Sequence, residues 1–176
     1  MLGDALRNWR LRRAYAREGI GAVALALRTT RDGHAAILRD FGASIAPGLA
    51  IAGPLHVVNV AASFANLTIG ERAALGPETH LDLAAAVTIG AGAVIEPRAA
   101  LLTSARAAGL PPGALHDGPV RVGAGARIGA GATLLPGVTI GEGAVVDPHA
   151  LVAADVPAGT RIAWHEAADL ALVRGR

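Results

Sequence analysis

Along most of this chain the aliphatic positions recur every six residues, not every two or every 3.6. From Val122 the sequence divides without a slip into VGAGAR, IGAGAT, LLPGVT, IGEGAV, VDPHAL and VAADVP. Each unit opens on an aliphatic residue, and four places on stands a small one: Ala126, Ala132, Val138, Ala144 and Ala150. Such a period predicts a parallel β-helix built from hexapeptides. Three units close one coil of a triangular prism, with the opening aliphatic residue pointing inward. Each coil hydrogen-bonds to its neighbours, so stability comes from stacking and not from any coil alone. Gly recurs at the second position (Gly70, Gly90, Gly123) and often at the fourth (Gly125, Gly131, Gly143), where the chain must turn sharply.

The same count locates the interruptions. Ile45, Ile51 and Val57 open the first coil. From Ile45 to Ile69 is 24 residues, six more than a bare coil of 18. From Ile69 to Ile89 is 20, which places a two-residue bulge within Leu83 to Thr88. From Ile89 to Val122 is 33, so fifteen residues leave the prism between Thr103 and Val120. Long loops on rigid scaffolds are where function concentrates.

Outside the prism the pattern changes. Residues 3–18 and 31–41 read as helices, Gly19 and Gly21 break the chain between them, and 22–27 fits helix or strand. The expected division is a helical extension over 1–44, the hexapeptide prism over 45–163 with its loop at about 103–120, and a closing helix within 164–176. That last segment would cap an otherwise exposed sheet edge.

Composition explains an apparent contradiction. A mean hydropathy of +0.44 suggests a membrane protein, yet no apolar run approaches the ~18 residues needed to span a bilayer. The apolar residues are spent at the hexapeptide period, and aromatics are scarce because a narrow prism has no room for rings. There is no Cys, which removes disulfides, thiolate metal sites and thiol catalysis. No signal peptide is evident, so a cytoplasmic location is the default expectation. All sixteen basic residues are Arg, eight of them within the first forty residues against four acids. A solvated helix face accounts for this cluster. The sharper alternative is peripheral contact of Leu2, Leu6, Trp9 and nearby Arg residues with an anionic membrane. The cluster lacks the interleaved aromatics and reading motifs of nucleic-acid binding, which is not expected.

Asn66-Leu-Thr-Ile-Gly70, Val87-Thr-Ile-Gly90, Leu134-Leu-Pro-Gly-Val-Thr-Ile-Gly141 and Asp155-Val-Pro157 resemble the hexapeptide-repeat acetyltransferases, nearest the sugar and polysaccharide O-acetyltransferases related to maltose and galactoside acetyltransferase. The resemblance covers about 45–163. It implies an all-β fold, a left-handed parallel β-helix, and a homotrimer with acetyl-CoA or another acyl-CoA lying between neighbouring prisms. It also implies that Gly129, Ala130 and Gly131 contact the CoA, that a sugar or other hydroxyl compound accepts the acyl group, and that no metal is needed.

The resemblance also implies a His at the start of the projecting loop, as general base toward the acceptor hydroxyl. The matching position is Ser104 or Arg106. Ser has no useful base strength and Arg stays protonated. The Lys expected near CoA is Ala154, and the terminal Arg is Ala168. Acetyl-CoA is therefore expected to bind weakly. His116, beside Asp117 in the loop, and His80, outward-facing with Asp82 close by, are the candidate substitutes. His34, His56, His149 and His165 form no pair by sequence spacing. No two His lie within ten residues of each other, so the three-His zinc site of the γ-type carbonic anhydrases is not expected. Two readings follow: a CoA-dependent acyltransferase with a displaced base, or a catalytically lapsed relative serving as scaffold, regulator or partner of an active paralogue.

Overall fold

The computed structural model describes residues 2–30, 32–105 and 116–163, with side chains from residue 9 onward. The chain winds as a left-handed parallel β-helix whose three faces are sheets of five, six and five short strands. The first face stacks Ser44–Ile45, Leu67–Ile69, Val87–Ile89, Val120–Val122 and Thr139–Ile140. The second runs from Ala50–Ile51 to Arg161–Ile162, and the third from Leu55–Val58 to Leu151–Val152.

The register follows the sequence count. Ile45 lies beside Ile69, Ile69 beside Ile89, Ile89 beside Val122 and Val122 beside Ile140. Insertions are therefore expelled at the corners and the inward column is kept. The two-residue excess sits between the strands ending at Asp82 and beginning at Val87, and the larger excursion leaves after the strand Ser104–Ala105.

Inside, Ile69, Ile89, Val122, Ile128 and Ile140 are at most 2 % exposed, and the small residues Ala126, Ala132 and Ala144 are fully buried. One aliphatic and one small residue per unit fill a triangular cross-section without voids. The two glycine positions have different causes. The fourth position is left-handed: Gly125 has φ 64°, and Arg72, Glu78, Arg98 and His149 occupy the same place with φ between 53° and 61°. The second position is set by crowding, since a Cβ on Gly90 would lie 2.5 Å from the backbone nitrogen of Ala124 in the next coil.

Helices close the start of the prism. α1 spans Leu2–Glu18, α2 Ile20–Leu27 and α3 His34–Asp40. The 22–27 segment is thus helical, turned out of α1 by Gly19 at φ 73°. Ile20, Val23, Ala24 and Leu27 form the buried face of α2, which packs on the strand Leu55–Val58, while α3 packs beside Ser44–Ile45. These first-coil strands have a sheet partner on one side only, and the helices cover them. Among the described residues, Phe64 is fully buried in this region and Tyr15 meets Phe41 at 5.3 Å between centroids. The expected closing helix within 164–176 lies outside the described residues.

Candidate functional site

Alternation along the third face decides which side chains point outward. In the strands Leu55–Val58 and Thr79–Asp82, Leu55, Val57, Thr79 and Leu81 are inward and buried. His56, Val58, His80 and Asp82 therefore lie on the outer face of the sheet, where Asp82 is covered by other segments, with His56 opposite His80 and Val58 opposite Asp82. The two imidazoles stack, 6.5 Å between centroids and 13° from parallel. The expectation that no histidines pair is thus corrected. The physical reason is register: the first coil is 24 residues long, and so is the step from His56 to His80. Nε2 of His56 donates to the Glu78 carboxylate.

Burial lowers the pKa of His80 below the ordinary imidazole value, and the His56 and Arg28 charges push the same way while Asp82 opposes them. The shift favours the neutral ring, which has a nitrogen able to take a proton.

Asp82 is 2 % exposed and accepts four hydrogen bonds. Its Oδ2 takes the Ser104 hydroxyl at 2.6 Å and the Ser104 N–H at 2.8 Å. Its Oδ1 takes the Asn59 amide at 2.9 Å and the Ala84 N–H at 3.1 Å. Burial alone would raise this carboxyl's pKa; the donors from Ser104, Ala84 and Asn59 outweigh it, so the pKa falls below the usual carboxylate range. The buried Thr103 completes the arrangement, donating to the Asp82 carbonyl at 2.9 Å and accepting from the Ala85 N–H at 3.0 Å. The two-residue bulge and the departure point of the long loop are thereby tied together.

Ser104 and Ala105 pair antiparallel with Asp117 and His116, forming the stem of the loop. Opposed residues share a face and neighbours alternate, so Ser104 and Asp117 lie on one side of this ribbon and His116 on the other, exposed. Of the two positions matched to the expected base, Ser104 donates its hydroxyl to Asp82, and Arg106 lies outside the described residues. His149 is an exposed left-handed corner residue and His34 is buried at the start of α3.

A cleft of about 440 Å³ opens beside this cluster, between α2 and the chain at Val57–Val60. Ala24, Leu25, Val58 and Val60 give it apolar walls, and Arg28 and Asn59 supply its polar groups. Asn59 also donates to Ser104 Oγ at 3.3 Å, so cleft and cluster share a side chain. No spacing rule reaches Asn59 or Arg28, and the sequence reading missed both.

Gly129, Ala130 and Gly131 form a corner on the other side of the coil. Their N–H groups go to Val146 O, Glu96 Oε2 and Pro97 O, so all three backbone donors are already engaged. Ala154 is 8 % exposed and uncharged; His165 and Ala168 lie outside the described residues. Among the described residues there is no group of three or more His, Cys, Asp or Glu able to hold a metal, and no helix is long and apolar enough to cross a membrane.

Comparison with known proteins places this geometry on a familiar scaffold. The family model for bacterial transferase hexapeptide (six repeats) matches residues 119–154. No curated protein matches the sequence. Among solved structures, a hexapeptide-repeat-containing acetyltransferase from Vibrio cholerae is 21% identical, covering 81% of this chain and 82% of its own, with a TM-score of 0.72; it has also been solved with acetyl-CoA. A galactoside acetyltransferase in complex with coenzyme A is 19% identical over 81% of this chain and 73% of its own, at 0.72. A maltose O-acetyltransferase from Clostridium difficile is 18% identical over 80% and 77%, at 0.64. The chain carries bacterial transferase hexapeptide repeats and shares the fold of these acetyltransferases.

Proposed function

We propose that the protein transfers an acetyl or other acyl group from CoA to a hydroxyl of a sugar or other small acceptor, with His80 as the displaced general base. The observation that carries this reading is the half-buried His80 ring on the same outer face as the fixed Asp82–Ser104–Asn59 cluster, which shares Asn59 with an open cleft. His80 takes the proton from the acceptor hydroxyl as its oxygen attacks the thioester carbonyl carbon. The carbon–sulfur bond breaks, the proton returns from His80 to the departing CoA sulfur, and an ester and free CoA leave. The fold supports the donor assignment, since relatives of this architecture hold coenzyme A or acetyl-CoA. The partner surface for CoA would be a neighbouring prism in a homotrimer, with the Gly129–Gly131 corner as packing surface.

The test compares acceptor-dependent CoA release by His80→Ala and His116→Ala. Loss of about a hundredfold or more in His80→Ala alone supports the assignment; the reverse pattern moves the base to His116.

A second reading has its own support. Ser104 stands where the resemblance places the base, and its hydroxyl is committed to Asp82. Ala154 offers CoA no charge. On this reading the protein is a catalytically lapsed relative acting through its surface, and no acceptor releases CoA with either histidine intact.

A further inference from the structure

The cleft between α2 and the first coil has a composition that bears on the acceptor. It has the size of a small-molecule site, with apolar walls and two polar groups of definite character. Asn59 spends its N–H groups inside the cluster, on Asp82 and Ser104, so what it offers the cleft is its carbonyl oxygen, an acceptor for a hydroxyl. Arg28 offers only donors and a permanent positive charge.

A cation at a helix C-terminus complements the helix dipole, and that alone would favour Arg at the end of α2. Arg28 is not spent on that role alone: it lines the cleft, and its charge is felt at His80. Two carboxylates of this region are otherwise engaged: Asp82 is buried beneath four donors and Glu78 holds His56. Among the described residues no ion pair to Arg28 forms.

We infer that this cleft is the acceptor site and that it selects a hydroxyl compound bearing an anionic substituent, a carboxylate or a phosphate, held by Arg28. This rests on the acyl-transfer reading for the reaction but not for the binding. A guanidinium at a cleft mouth matches the planar, two-oxygen geometry of either anion. Asn59 then accepts from a hydroxyl on the same molecule, orienting it toward His80.

The experiment uses three monosaccharide probes with the full-length protein: galactose, galacturonate and galactose 6-phosphate. Acceptor efficiency is read as kcat/KM for CoA release, and binding without donor is read by ligand-observed NMR. The expected result is at least a tenfold preference for an anionic probe over galactose, weakening with added salt. In Arg28→Gln the ratio should collapse toward one, and Arg28→Lys should restore part of it. The better anionic probe identifies carboxylate or phosphate as the natural substituent. Arg28-dependent binding of an anionic probe without any turnover would uphold the cleft as an anion-binding site and overturn acyl transfer and, with it, the acceptor role. Turnover with equal efficiency for all three probes, or a preference unchanged in Arg28→Gln, would overturn the inference and leave acyl transfer standing. Absence of both binding and turnover for every probe would overturn both.

Discussion

The Ser104 hydroxyl donates to Asp82 Oδ2 at 2.6 Å, joining the root of the long loop to the strand one coil earlier. The carboxylate is buried, and every partner it has belongs to a segment that departs from the regular prism: Asn59 from the first insertion, Ala84 from the bulge, Ser104 from the loop. One side chain thus organises three irregular segments.

Asp82→Ala should destabilise the protein by about 1–3 kcal/mol, because it leaves four donors at the part-buried cluster without their acceptor. Chemical denaturation measures this directly. Asp82→Asn should cost less, since it keeps one acceptor oxygen.

The folded-state pKa of Asp82 lies below the unfolded value, so its stabilisation is fully present above the ordinary carboxylate pKa. It is lost as pH falls through the folded value. The stability gap between wild type and Asp82→Asn should therefore be widest near neutrality and narrow on acidification below the usual Asp range. A constant gap would place the effect in packing instead of charge.

Ile128 and Ile140 are fully buried in the prism. Ile128→Asp or Ile140→Asp places an unpaired carboxylate there and should abolish cooperative folding. A soluble Ile140→Asp protein with a sharp melt would contradict the inward register.

The fold was legible because a β-helix writes its geometry as a count. The steps of 24, 20, 33 and 18 residues between Ile45, Ile69, Ile89, Val122 and Ile140 became the sheet register. The glycine pattern was legible only in part. Its fourth position demands a left-handed backbone, yet Arg72 and Glu78 adopt it, so composition alone does not mark every corner. Of the site, His80 and Asp82 were visible as neighbours on one outward face. His56 was hidden because its partner is 24 residues away, although the insertion that lengthens the first coil was already counted. Asp82 to Ser104 and Asn59 to Asp82 were not readable, since irregular segments carry no period from which a contact can be inferred.

The outward column Ala50, Ala74 and Val94 on the second face lines a shallow apolar groove with Pro77 and Pro97. A homotrimer would cover it. Sedimentation at micromolar concentration should give three times the chain mass of 17.6 kDa, and Ala74→Glu should shift the protein toward monomer while keeping a cooperative melt. A monomeric wild type would contradict this assembly.

Acetyl-CoA should bind with a dissociation constant of about millimolar. Each charge-assisted contact missing at Ala154 and Ala168 removes on the order of 1.5–3 kcal/mol, enough in pair to weaken a micromolar site that far. Calorimetry reads this. A low-micromolar constant would show that other charges, such as exposed Arg121 or Arg127, hold the phosphates.

Acyl transfer to a hydroxyl leaves a mass increase on the acceptor that mass spectrometry reads without intermediaries. With saturating acetyl-CoA and a panel of neutral and anionic sugars, one acceptor should gain an acetyl group in step with the free CoA released. Acceptors left unmodified at saturation, with acetyl-CoA intact, would contradict acyl transfer and leave the scaffold as the protein's function.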